Sequence, residues 1–361
     1  MSGGVDSSVA AALLKRQGYG VVGVFMKFWK APGYGENRCC SLESEKRARL
    51  VAKILDIPFY VFNFEKEFKK RVVDYFLKEQ KAGQTPNSCV VCNKEIKFGL
   101  MLEKALELGA EYIATGHYAR KAASYLGVGP SGYTLLAALD AQKDQSYFLW
   151  KLNQKQLSRV LFPVGGYKRA KVEELARKFK LPFSGVKKSM EVCFVPADLR
   201  GFLKPRIHTD SGNIVDSKGN IIGRHDGLAF YTIGQRKGIG LSGGPYYVIG
   251  KNVQKNVLVV SKNEKDLLSK EIIVKEVNWI SGKAPQLPLK VSVKIRYRSP
   301  SVPATISKIQ PRRLKGSGIR PKASENTKYK ILFFRPQRAV TPGQSAAFYL
   351  KGELLGGGVI L

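Results

Sequence analysis

Near the amino terminus, Ser2-Gly3-Gly4-Val5-Asp6-Ser7-Ser8 sets three hydroxyls, two glycines and one carboxylate directly ahead of Val9, Ala12, Leu13 and Leu14, apolar residues at helical spacing that stop at Gly18. A loop of this kind opening a helix suits an anion. Gly3 and Gly4 let the backbone pass close to a bulky group, while Ser2, Ser7, Ser8 and the amides of the first helical turn aim donors at one spot, as a phosphate requires. A Gly-Ser turn with an ordinary helix cap is the plainer alternative. Thiols form the second group. Cys89 and Cys92 make a Cys-x-x-Cys pair, which alone fits half a zinc site, a redox pair or part of a metal cluster. Adjacent Cys39 and Cys40 would complete four thiolates on paper, but neighbouring residues rarely point at one metal. Cys92 stands just before Asn93, at the start of an expected helix and beside Lys94, where a thiolate is stabilised and reactive. Cys193 has Lys187 and Lys188 nearby and Val192 and Phe194 beside it; this pattern fits a small apolar filler as well as a reactive thiol.

Such groups need a frame. A helix over about 7–17 leads to an apolar run at 21–29, one over about 43–55 to a run at 57–64, one over about 65–81 to a loop at 84–93, and one over about 94–108 to 111–119. This alternation predicts an α/β fold, a Rossmann-like parallel sheet with helices on both faces. Ligands in such sheets bind beyond the carboxyl ends of the strands, where the opening loop, Met26 and the pair Gly116-His117 fall. After Leu199 glycines become frequent and short strands are expected, a small β-rich central module. The runs at 271–280, 289–299, 329–334 and 344–350 predict a C-terminal β-barrel-like domain, and the basic stretch at 310–329 reads as a solvated loop. The expected domains are 1–200, 201–268 and 269–361. With 61 Lys and Arg against 28 Asp and Glu, the formal charge of +33 favours a polyanionic partner. No apolar run of about 18 residues and no leader are seen, so no membrane span is expected, and five cysteines in a long chain suit a reducing cytoplasm.

The opening string lacks the Gly-Lys-Ser/Thr ending of the common phosphate loop. It resembles instead the loop of the N-type ATP pyrophosphatases, which release pyrophosphate and adenylate a substrate. That resemblance implies ATP, with Asp6 near its phosphates and able to help hold Mg2+. Further motifs follow in order: "VFMKFW", "CCS", "TPNSCVVCNKEIKF", "ATGHYA", "KDQSYFL", "CFVP", "YTIGQRKGIGL", "IRYR" and "TPGQSAAFY". Together they resemble the tRNA-specific 2-thiouridylases, which replace the 2-oxygen of the wobble uridine of certain tRNAs with sulfur. The resemblance implies that Ser2, Gly3, Gly4, Val5, Asp6, Ser7 and Ser8 cradle ATP, with Met26 and Gly116 lining its pocket. It makes Cys92 the nucleophile and Cys193 the carrier of a persulfide brought by a sulfur-relay protein or a cysteine desulfurase, the two thiols then forming a transient disulfide. Asn87, Ser88 and Cys89 would meet the target base. His117, Lys143, Asp144, Gln145, Arg296, Tyr297, Arg298 and Gln344 would meet tRNA, with Arg296 and Arg298 alternating with Tyr297 on a strand. The expected activity is ATP-dependent tRNA thiolation in the cytoplasm. Another adenylating ligase of the same loop type, or a tRNA-binding relative without catalysis, are the competing readings.

Two departures from that family are visible. Its members carry a short apolar strand ahead of the loop, whereas Met1 stands inside the motif here; a start codon set downstream of the true one is the expected cause. Many members have Asp where this chain has Cys89, and a third thiol allows a second scheme in which Cys89, Cys92 and Cys193 hold a four-iron four-sulfur cluster with one iron open to sulfide. Ser44 and Arg47 also replace acidic residues often seen after "CCS".

Overall fold

Helix α1 (Val5–Arg16) forms because its central residues, Ser8 through Leu14, are all buried, and it stops at Gln17 and Gly18, the latter at φ +87°. Helix α2 (Leu42–Ile54) starts where the Ser41 hydroxyl accepts the Ser44 amide at 3.1 Å, and buries Ala48, Val51 and Ala52. These residues belong to a computed structural model that describes residues 1–33, 40–123, 132–182, 192–195, 198–310 and 327–361. Cys39, Lys187, Lys188 and nearly all of the basic stretch at 310–329 lie outside the described residues.

The first module alternates helices with parallel strands, a Rossmann-like arrangement. Strand β1 (Gly23–Lys27) runs parallel to β2 (Phe59–Asn63), with Met26 opposite Phe62. Strand β3 (Ile113–Ala114) leads to β4 (Ala119–Ala123), which turns back as β5 (Tyr133–Ala137), and β3 runs parallel to β6 (Val160–Leu161). The Met1 amine donates to the Val24 carbonyl, fixing the start of the opening loop to β1. α1 and the helix Arg169–Lys178 close one apolar core around Val9, Leu13, Val164 and Val172.

The central module is one four-stranded sheet. It contains β7 (Gly212–Val215), β8 (Ile221–His225), β9 (Tyr247–Asn252) and β10 (Val257–Ser261), in the order β8-β7-β10-β9 over a core of Ile214, Val248, Leu258 and Val260. The last module is a closed barrel of six strands: β11 (Leu268–Trp279), β12 (Leu289–Lys294), β13 (Val302–Lys308), β14 (Tyr329–Arg338), β15 (Ser345–Leu350) and β16 (Glu353–Ile360). Their order is β11-β14-β13-β12-β15-β16, and β16 pairs back onto β11, which removes the free edges. Inward residues such as Val291, Val293, Ile306, Ile331, Phe333 and Phe348 fill it. The hairpin β4-β5 joins the same sheet through β16, with Leu135 opposite Leu354.

Two expectations differ locally. The segment at 84–93 is not all loop: a helix starts at Ser88 and runs through Cys92 into a π-helical stretch Asn93–Leu100 and the helix Met101–Glu107. Asn87 initiates it, its side chain accepting the Val90 amide at 3.4 Å. Cys92 thus ends the first helical turns rather than opening the helix. Arg296, Tyr297 and Arg298 lie past the end of β12, in a turn rather than on a strand. Ser299 makes the turn, its hydroxyl donating to the Arg296 carbonyl at 2.9 Å and accepting the Arg296 amide at 3.2 Å.

Candidate active site

The opening loop is a backbone cradle. Gly3 adopts φ +69°, Ser2 and Ser7 hydroxyls lie 3.2 Å apart, and no side chain caps the first turn of α1. Its amides are therefore left for an anion on the helix axis, where the helix dipole favours negative charge. Gly116 closes the other side. A Cβ there would stand 2.5 Å from the Ser7 amide nitrogen and 2.6 Å from the Asp6 carbonyl carbon, so only glycine permits this approach. These features fit a nucleotide triphosphate held through main-chain donors.

The polar side chains divide by role. Ser8 is fully buried with its hydroxyl donating to the Gly4 carbonyl at 3.0 Å, so it braces the loop from behind. Asp6 Oδ1 accepts from the Tyr118 hydroxyl at 2.9 Å and from the Arg169 guanidinium. Burial, then the Asp6 carboxylate and its hydrogen bond, push the Tyr118 phenol above its usual range. Arg169 also holds Glu173 at 2.6 Å. Arg47 has a structural account: its Nε donates to the Gly3 carbonyl at 3.3 Å, and its other nitrogens reach Glu43 and the Ser44 hydroxyl.

Three of the four described cysteines meet one apolar cluster. Cys92 is buried at 8% exposure in an apolar cluster with Phe28, Phe68, Ile96 and Phe194. Cys193, Cys40 and Met26 border that same cluster. Cys40 Sγ accepts the Phe28 amide at 3.2 Å. Cys89, three residues before Cys92, is exposed. Among the described residues, no group of three His, Cys, Asp or Glu is gathered to hold a metal.

The residues expected to meet the base and tRNA are spread more widely. The Asn87 carboxamide caps its helix and donates to the Ser345 hydroxyl at 3.4 Å, and Ser88 is buried. His117 Nδ1 lies 2.8 Å from the Thr115 hydroxyl, with its ring against Phe98 and Phe162. Burial and then Lys97 hold its pKa well below the usual histidine value, so the ring is neutral. Asp144 lies under the surface at 4% exposure, accepting the Ala138 and Ser146 amides at 3.1 Å and pairing with Lys294 at 3.1 Å. Its carboxylate is engaged in holding the chain. Gln145 accepts the Tyr118 amide at 3.0 Å. Lys143 is half-buried beside it. Arg296 donates to the Arg338 and Ala339 carbonyls, Tyr297 stacks obliquely on Phe148 with ring centres 4.5 Å apart, and Arg298 is exposed. Gln344 Nε2 donates to the Thr85 carbonyl at 2.8 Å.

Comparison with known proteins gives one answer along the whole chain. Residues 1–197 match a family model described as the tRNA methyl transferase HUP domain, 200–262 its PRC-barrel domain, and 269–315 with 319–360 an aminomethyltransferase β-barrel domain. The tRNA-specific 2-thiouridylase MnmA of Clostridium kluyveri is 43% identical over all of this chain and 97% of its own length. The MnmA 2 protein of Thermoanaerobacter sp. is 44% identical and that of Clostridioides difficile, named MnmA, 43%, each over all of this chain and 96% of its own. The chain belongs to the tRNA-specific 2-thiouridylase family. Against that family background, Tyr118, Arg169 and Thr85 are the residues that sequence reasoning passed over. Arg169 carried a signal: with Lys168 it opens a helix, where the dipole disfavours cations, so it needed an anion within reach.

Proposed function

We propose that this chain is an ATP-dependent sulfurtransferase that thiolates C2 of the wobble uridine of tRNA. What supports this reading most is one apolar cluster that contains Cys92 and has Cys193, about a hundred residues away in sequence, packed against it. The geometry of Gly3, Gly116 and the open first turn of α1 supports ATP as co-substrate. A uracil carbonyl has a poor leaving group, so its 2-oxygen first attacks the α-phosphate of ATP; the bond to pyrophosphate breaks and the N3 proton is lost. The terminal sulfur of a Cys193 persulfide then adds to C2, and AMP departs with the oxygen. Cys92 thiolate takes the Cys193 Sγ, which leaves sulfur on C2 and a Cys92–Cys193 disulfide, and N3 regains a proton. Two cellular thiols, or one dithiol, reopen the disulfide by exchange and become a disulfide themselves. The persulfide comes from a sulfur-relay protein or a cysteine desulfurase. To reach this site the base leaves its stack, at about a few kcal/mol, which the basic surface offsets.

Asp6 is paired with Arg169, and among the described residues Cys89, Cys92 and Cys193 form no metal-holding group, so the donor set fits the persulfide route and not an iron–sulfur cluster. Residues 1–200 would do the chemistry while 201–268 and 269–361 grip tRNA, with Arg298 and Lys143 as surface contacts. Among the described residues no helix is long and apolar enough to cross a membrane, and action on tRNA fits a cytoplasmic enzyme. Replacing Cys92 or Cys193 by Ser tests the reading. We expect tRNA-dependent ATP–pyrophosphate exchange to persist while 2-thiouridine, measured by nucleoside mass spectrometry, falls more than about 100-fold. Thiolation left intact by Cys193→Ser would remove the persulfide route. Wild-type protein that binds tRNA yet shows no exchange would leave only the non-catalytic reading.

A further inference from the structure

The connecting segment Gly83–Asn87, which leads into the thiol-bearing helix, is gripped from two sides by modules remote in sequence. From the central module, Lys251 on β9 donates its ammonium to the Gly83 carbonyl at 3.0 Å, and the Thr232 hydroxyl meets that of Thr85 at 3.4 Å. From the barrel, the Pro342 carbonyl accepts the Thr85 amide at 2.9 Å and Gln344 returns a bond to the Thr85 carbonyl at 2.8 Å. Both main-chain groups of Thr85 are therefore committed to a single turn of the barrel, as in a sheet pairing. Two residues on, Asn87 ties Ser345 to the first turn of the helix that carries Cys89 and Cys92. Keeping Lys251 here is costly: desolvation alone pushes its pKa down to about 8, so this amine is held in place against its own hydration.

We propose that Lys251 and Gln344 are positioning residues, which fix Gly83–Asn87 between the two outer modules and thereby set where Cys92 stands relative to the base. The proposal rests on the thiolation reading and assigns to Gln344 a role toward the protein's own backbone. A chain seated this way makes the reactive thiol depend on how central module and barrel sit, so a tRNA held by both is sensed at the cysteine through hydrogen bonds and not through direct contact.

The test compares wild type with Lys251→Met, Gln344→Ala, the double variant and Lys251→Arg. It measures thiolation kcat, KM for tRNA and the rate at which iodoacetamide alkylates Cys92, read by peptide mass spectrometry. We expect each single variant to lower kcat more than about tenfold with KM within about twofold, and to change Cys92 alkylation at least about threefold. The double variant should lose little beyond the worse single one, because both act on one segment, and Lys251→Arg should recover most of kcat. If kcat stays within about twofold, or the loss appears in KM, or Cys92 alkylation does not change, the proposal fails. Should Lys251→Met not fold by circular dichroism, Gln344→Asn, one methylene short of Thr85, carries the same expectation. An inactive wild type refutes thiolation itself, and is a result distinct from an active wild type with unaffected variants.

Discussion

Asp144 shows what a residue type leaves unsaid about its surroundings. The family resemblance implies a tRNA contact for it in "KDQSYFL", and in the fold its carboxylate holds two amides and the Lys294 ammonium at 3% side-chain exposure. Removing one member of a buried ion pair leaves the other uncompensated, so Asp144→Ala should cost about 3 kcal/mol of stability. Urea unfolding checks this, and tRNA affinity of the folded fraction should stay within about threefold. Seen from sequence, nothing separates a carboxylate that meets solvent from one that meets Lys294, because the partner lies on β12, far along the chain. The geometry of the opening loop was legible for the opposite reason. It rests on consecutive backbone groups, so seven adjacent residues carry it; the approach of Gly116 was foreshadowed by its place at a strand end, and that of Arg169 not at all.

At the level of elements, the alternation of helix and parallel strand could be read from period alone, as could the barrel strands. Helix starts were harder: Pro86 and Asn87 read as loop because both break helices inside, but Asn87 is also a preferred cap, and capping is the role it takes. The central sheet offers a pH test. His225, at the end of β8, accepts the Gly227 amide on Nδ1 at 3.0 Å and donates from Nε2 to the Asn256 carbonyl at 3.2 Å, a neutral tautomer by both bonds. Burial, partly opposed by the Asn256 bond, keeps its pKa below the usual value. The unfolded chain thus takes up a proton at a pH where the fold still refuses it. Stability from this ring is whole above about pH 6.5 and drains away below it. Hydrogen exchange at Gly227 and Val257, corrected for intrinsic rate, should quicken between pH 7 and pH 5, and His225→Gln should flatten that dependence.

Across the whole molecule, the charge of +33 sets how the protein meets RNA. Neutralised phosphates release counterions, so tRNA affinity should fall by about 100-fold or more between 50 and 200 mM salt, a slope that filter binding measures directly. A shallow slope would mean that the cations are solvated and take no part. One feature no local pattern announces is the pairing of β16 with β5, through Leu354 opposite Leu135 and the Ala137 amide on the Gly352 carbonyl. It makes the first module's hairpin the outermost part of the barrel's sheet. A nonsense codon in the linker at about 262–268 would therefore not yield a smaller enzyme with a weaker hold on RNA. It would strip the cover from Tyr133–Ala137 and present a bare edge to any neighbouring polypeptide, and the product would precipitate before its chemistry could be assayed.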